Sequence, residues 1–147
     1  MKKNLLYTLL IFLALASGCA KETVDSSTTV PVPSGTFTGQ FRLLHRSTDK
    51  VPFDTTSANI VLTLTTPADT YTVTGDTSTL HAGSYGTYAL NSTEILFTDK
   101  TYPLSGVPKK THLNGLYLYY YDGSTFQMLA YSSDTLSLEY DLKKSTN

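Results

Sequence analysis

Gly115-Leu-Tyr-Leu-Tyr-Tyr-Tyr-Asp122-Gly123-Ser-Thr-Phe-Gln-Met-Leu-Ala-Tyr131, followed closely by Leu136-Ser-Leu-Glu-Tyr-Asp-Leu142, decides the fold. Aromatic and aliphatic residues dominate both segments, and such residues favour a pleated, half-buried surface. Asp122-Gly123 between two such runs is a tight hairpin signal. Taken as a two-residue loop, it sets Tyr121 opposite Ser124, and so pairs Tyr119 with Phe126, Tyr117 with Met128 and Gly115 with Ala130. The next segment alternates cleanly, with Leu136, Leu138, Tyr140 and Leu142 on one face and Ser137, Glu139 and Asp141 on the other. A one-residue slip would turn every one of these side chains over. A three-residue loop, Ser132-Ser133-Asp134, keeps the leucines inward and pairs Ala130 with Leu136, Met128 with Leu138 and Phe126 with Tyr140.

The same pattern extends back to Gly35, with no helical period of useful length. Strands are expected at about 36–46, 57–65, 70–75, 84–90, 93–98, 112–121, 124–131 and 135–142. Turn residues stand between them, at Pro67-Ala68-Asp69, Asn91-Ser92 and Asp122-Gly123. Read as a two-residue loop, Asn91-Ser92 pairs Tyr88 with Ile95 and Gly86 with Phe97. One face then carries Tyr88, Ile95, Phe97, Tyr117, Tyr119, Phe126, Met128, Leu136, Leu138 and Tyr140. Short connections favour antiparallel neighbours, and eight such strands can close into an up-and-down barrel that has no exposed edge. The expected fold is all-β, an eight-stranded antiparallel barrel spanning 35–143 with a tail at 144–147; a β-sandwich is the alternative.

Ahead of the barrel, Lys2 and Lys3 precede an apolar run from Leu5 to Ala16. That run has the length of a secretory signal and falls short of the roughly 20 apolar residues that span a bilayer. Residues 20–34 are small, polar and proline-bearing, the composition of a flexible tether reaching roughly 20 Å. Of 11 basic and 12 acidic side chains, Lys2 and Lys3 leave with the signal, so the remaining chain is mildly acidic. Nucleic-acid binding, which needs a basic face, is not expected. Cys19 is the single cysteine, so no intrachain disulfide can form.

Leu15-Ala16-Ser17-Gly18-Cys19 resembles the lipobox of bacterial lipoproteins, with Ala16 where a leucine is commoner. The resemblance implies cleavage after residue 18, a lipidated (palmitate-bearing) Cys19 as the new N-terminus, and a tether over 19–34. Lys21-Glu22 is similar to a short charged signal that sends some lipoproteins to the cell surface. The location implied is the bacterial envelope, at the outer membrane. Gly35-Thr36-Phe37 resembles the Gly-x-Trp opening of lipocalin-like chains, with Phe37 at the position of the tryptophan that plugs the barrel floor. No arginine follows the last strand to stack on it, and Lys143 or Lys144 is the nearest substitute. Cys19 thus specifies where the chain works more closely than anything specifies what it does.

All of the 11 tyrosines except Tyr7 follow the signal. Buried tyrosine hydroxyls need partners, and a core meant only for packing would use more aliphatic residues. Tyr88, Tyr117, Tyr119, Phe126, Met128 and Tyr140 are therefore the candidate ligand-binding residues, for a small amphipathic or apolar molecule in the barrel interior. The alternative is a filled barrel that works as a non-enzymatic protein- or glycan-interaction module. Leu116, Leu118 and Tyr120, with Leu129 and Tyr131, face the other way, as a protein-partner surface or as a face covered by the segment 100–112. The glycine-rich loop 75–86 either lines the barrel mouth or serves tight turns. No cofactor, metal or catalysis is expected. His45, His81 and His112 lack ligand spacing, Ser84 is not in a Gly-x-Ser-x-Gly elbow, and Glu94 and Glu139 point outward rather than forming a glycosidase pair.

Overall fold

The computed structural model describes residues 31–146, which contain no helix. Cys19, the signal 1–18 and most of the tether lie outside the described residues. Eight strands follow one another in sequence: β1 (Gly35–His45), β2 (Asp54–Thr65), β3 (Thr70–Gly75), β4 (Ser84–Leu90), β5 (Glu94–Asp99), β6 (Gly115–Tyr121), β7 (Thr125–Ser133) and β8 (Leu136–Lys144). Each pairs antiparallel with the next, and β8 returns to β1 through Phe37↔Lys144 to His45↔Leu136, closing an up-and-down barrel. The closed circuit rules out the two-sheet sandwich. Alternation carries the core: Ala58, Ile60, Leu62 and Leu64 of β2 are buried while Thr55 and Thr65 are exposed.

Both chain ends of the barrel and the three connections β2–β3, β4–β5 and β6–β7 lie at one rim. The connections 46–53, 76–83 and 100–114, together with the tight β7–β8 turn, lie at the other. β8 runs on through Lys144, and Ser145 still donates its N–H to Thr36 O at 2.8 Å. Phe37 is fully buried at the chain-end rim, as a floor plug should be. Tyr121 and Phe126 pack on it at 5.7 and 5.0 Å between ring centres, and Lys143 and Lys144 are exposed rather than stacked on it.

Three expected registers are displaced by two residues. Tyr119 pairs with Met128 rather than Phe126, and Tyr88 with Phe97 rather than Ile95. Met128 pairs with Tyr140 rather than Leu138. At the first two turns the reason is the same. Asn91 and Asp122 stand before the loop rather than inside it, because their side chains cap the turn. Asp122 Oδ1 accepts from the backbone N–H of Thr125 at 2.7 Å and of Ser124 at 2.8 Å. Asn91 Oδ1 accepts from Thr93 and Glu94 in the same way. The loop residues are then Gly123-Ser124, with φ +100° at Gly123 as a type II′ turn requires at its first central position, and Ser92-Thr93. At the β7–β8 turn the loop shortens to Asp134-Thr135, and a bulge at Tyr131/Ser133 absorbs the extra residue. A displacement of two preserves every face, so the inward set survives the error.

Gly86 marks the tightest approach in the wall. A side chain there would land on the carbonyl oxygen of Thr98 and press on the ring of Tyr71, its partner across the β3–β4 ladder. Gly86→Ala should lower the unfolding free energy by about 2 kcal/mol or more, on the scale of core overpacking, measured by urea denaturation. A loss under about 0.5 kcal/mol would show that the wall yields there.

Candidate functional site

The interior is filled by two groups of aromatic rings drawn from every strand except β2. Near the loop-rich half, Phe41 meets Tyr140 at 5.0 Å, Tyr140 meets Tyr117 at 5.6 Å, and Tyr117 meets Phe97 at 5.8 Å. Phe97 in turn meets Tyr71 at 4.9 Å and Tyr88 at 6.3 Å. Toward the chain-end rim, Phe126 joins Phe37, Tyr119 and Tyr121. Most of these contacts are edge-to-face, the favoured arrangement, and each contributes about 0.5–1.5 kcal/mol beyond burial.

Five of the six candidate residues lie in this interior: Tyr88, Tyr117, Phe126, Met128 and Tyr140 are all buried. Tyr117, Met128 and Tyr140 come together on adjacent strands, whereas Tyr88 stands apart beyond Phe97. Tyr119 is half-buried at the rim, where its hydroxyl donates to Asn91 O at 2.7 Å. It sits over Phe126 rather than beside Tyr117. Sequence reasoning missed Phe41, Tyr71, Leu113 and His81, all of them fully buried. Phe41 and Tyr71 carried a signal, since Phe37-x-x-x-Phe41 and Tyr71-x-Val73 keep the strand period. Leu113 and His81 carried none, because they lie on connections.

His81 is the polar centre of the interior. Its Nδ1–H donates to Ala82 O at 2.6 Å, which leaves Nε2 to accept from the Tyr140 hydroxyl at 2.8 Å. Phe41 faces the imidazole edge-on at 4.8 Å. The hydroxyl of Tyr71 donates to Leu113 O at 2.6 Å. The hydroxyls of Tyr88, Tyr117, Ser84 and Ser137 are buried and make no hydrogen bond of good geometry, although that of Tyr117 lies near the Tyr140 hydroxyl and the Asn114 backbone and that of Ser84 near the Tyr71 hydroxyl. A buried hydroxyl left so costs about 1–3 kcal/mol unless something fills it. Beside this cluster, Asp99 Oδ2 accepts from His112 Nδ1 at 2.7 Å, and Asp99 Oδ1 is taken by Thr101. No group of three metal-ligating side chains occurs among the described residues.

Burial sets the protonation of the whole group. It pushes the Tyr117 hydroxyl up to about 12, that of Tyr71 higher still with the nearby Asp99 carboxylate adding to the effect, and that of Tyr140 well above the ordinary 10. It pushes His81 down to about 4, so the imidazole is neutral at pH 7.

The outer wall is apolar where β5, β6 and β7 meet. Leu96, Leu116, Leu118, Tyr120 and Tyr131 are 46, 55, 53, 57 and 69 % exposed. Leu96 pairs with Leu116 and Leu118 with Leu129, so the group is contiguous. The segment 100–112 does not cover it, because that segment turns to the loop-rich rim and holds the 76–83 connection there. Beside the leucines lies a groove of about 360 Å³ lined by Leu118, Tyr120, Gln127 and Leu129, with Arg42 and Glu139 paired at 3.1 Å.

The chain matches no protein-family model, no curated protein and no solved structure.

The raised tyrosines give a signed pH dependence. An unfolded tyrosine ionises near 10, and Tyr117, Tyr140 and Tyr71 ionise only above that in the fold. The stability they lend is fully present below pH 10 and falls as pH rises from 10 toward 12. Absorbance at 295 nm should therefore show a separate late phase above pH 10. The buried set should ionise together with loss of the near-ultraviolet circular dichroism. One smooth titration with the fold intact at pH 12 would overturn this.

Proposed function

We propose that this chain is a lipid-anchored protein of a bacterial envelope that works by binding, holding a small amphipathic or apolar molecule among the tyrosines of its barrel. The observation that supports the ligand reading most is the presence of unpartnered hydroxyls, those of Tyr117 and Tyr88, inside an apolar aromatic wall. A hydroxyl without a partner selects a guest that can donate or accept there, and the surrounding rings select a flat or apolar body. Tyr117, Met128 and Tyr140 would form the contact surface, with Tyr88, Tyr119 and Phe126 toward the chain-end rim. At rest the rings pack on one another, so a guest must displace something to enter.

The lipobox resemblance at Cys19 supports the anchor. Several acyl chains on one cysteine would hold the domain at a membrane durably, whereas one chain binds only marginally. Cys19→Ser should move the protein from the membrane fraction to the soluble fraction and abolish incorporation of a palmitate analogue. Membrane retention unchanged by the substitution would refute the anchor.

A second reading is favoured by the uncovered Leu96, Leu116, Leu118 and Tyr120 group. Monomers seldom leave contiguous apolar wall of this kind unpartnered. Closure removes the backbone edge that a peptide strand could join, so a protein or glycan would have to be recognised through side chains alone. Native mass spectrometry after gentle extraction separates the two readings. A retained small mass that Tyr117→Leu removes supports the interior site. A protein with no retained mass, whose cross-links in cells map to Tyr120 and vanish in a Leu116→Glu, Leu118→Glu variant, supports the outer wall.

A further inference from the structure

Every interior ring but one is delivered by a strand. The exception is the imidazole of His81, which hangs from the connection 76–83 yet is 0 % exposed. The connection is tied down lightly. Ala82 N–H donates to Thr111 O at 2.8 Å, Thr111 N–H to Leu80 O at 2.9 Å, and Lys110 Nζ to Thr77 O at 2.8 Å. These three ties run to the strandless connection between β5 and β6, and a fourth, Asp76 N–H to Asn59 O of β2 at 2.8 Å, holds only the segment's first residue, five positions before His81. The imidazole can therefore leave the interior without breaking one strand pair.

We propose that the position of His81 is a ligand subsite which the chain itself occupies at rest, and that a flat, uncharged ring bearing a hydrogen-bond acceptor takes it when the 76–83 segment swings out. The inference rests on the interior-ligand reading above and names the class of guest and the means of its admission. Phe41 and Tyr140 present ring edges to the imidazole at 4.8 and 5.8 Å between centres, a slot shaped for another planar ring. The Tyr140 hydroxyl donates into that slot. Ala82 O, which now receives the Nδ1 proton, departs with the plug, so the emptied slot offers a donor and needs an acceptor in return. The unpartnered Tyr117 hydroxyl, on the ring 5.6 Å from that of Tyr140, accommodates a second polar substituent. A charged guest does not fit. The nearest ionisable groups are Asp99 of β5 and His112 of the following connection, which are already bonded to each other.

The same geometry makes admission depend on pH. The groups facing His81 are Tyr140 from β8, Phe41 from β1, and Asp99 and His112 at longer range. No carboxylate bonds the ring, so burial holds it near 4 against an ordinary value of 6.5. The swung-out imidazole titrates normally. Between pH 6.5 and 4 the open form thus binds a proton that the closed form does not, and opening grows as pH falls.

Acetophenone, whose carbonyl is an uncharged acceptor, and α-methylstyrene, its isostere without one, are the probes. His81→Ala should bind acetophenone measurably at pH 7 by two-dimensional NMR titration, with affinity independent of pH. The native chain should bind it more weakly at pH 7, and roughly twentyfold more tightly at pH 5. Adding Tyr140→Phe to His81→Ala should erase the preference for acetophenone over α-methylstyrene. A folded His81→Ala variant that binds neither probe overturns the interior site itself. Binding by His81→Ala but not by the native chain at either pH leaves the interior site standing and overturns the exchange. Should His81→Ala not fold, amide hydrogen exchange on the native chain decides. The amides of Ala82 and Thr111 should open roughly twentyfold more often at pH 5 than at pH 7 while strand amides do not, and equal opening refutes the proposal.

Discussion

The pairing of β8 with β1 is the constraint from which the rest follows. Once those strands meet, every strand has two neighbours and no backbone edge is left exposed. An eight-stranded ring leaves an interior only wide enough for side chains or one small guest. Filling it then becomes the task of about one residue in two along each strand. Phe37, Phe41, Tyr71, Phe97, Tyr117, Phe126 and Tyr140 do most of that filling, as two groups of packed rings, one running from Phe41 through Tyr140, Tyr117 and Phe97 to Tyr71 and the other joining Phe37 and Phe126 at the floor. With no disulfide available, closure and ring packing carry the stability.

Parity explains why so much of this was legible in the sequence. Alternation along Leu136–Leu142 and Tyr117–Tyr121 fixes which side chains face in, and no plausible turn changes it by an odd number without turning leucines to solvent. The pairing partner is set by something finer, whether an Asn or Asp stands inside the loop or caps it from outside. At Asn91 and Asp122 the side chain bonds the two backbone N–H groups that follow the loop's start. Each cap moves the register by two and leaves the faces alone. The eight strands were thus readable one by one, while the ladder between them was readable only to within a step.

The candidate site was legible to the same depth and no further. Strand-borne members such as Tyr117, Phe126, Met128 and Tyr140 announce themselves by period. His81 does not, because Leu80-His81-Ala82-Gly83 has no period to read and its burial depends on Thr111 arriving beside it from thirty residues on. The separate fates of Tyr117 and Tyr119 make the related point. Both face inward, yet two residues of travel along β6 carry the side chain from full burial to the rim, where Tyr119 finds Asn91 instead of the core.

The two ends of the barrel differ in kind, and the difference bears on how the proposed anchor and the proposed gate fit together. Gly35 and Lys144 leave from the same rim, where every connection is a short turn and Phe37 closes the floor. A tether rising from Cys19 would join the domain at that closed floor. The longer connections, and with them His81, Thr111 and the Asp99–His112 pair, crowd the far rim. A barrel tethered at its floor has its loop-rich mouth at the end farther from the anchor. On that geometry a guest admitted past His81 would come from solution or from a partner rather than sideways from the bilayer. A flat, sparingly polar ring in equilibrium with water is the guest that such a mouth suits.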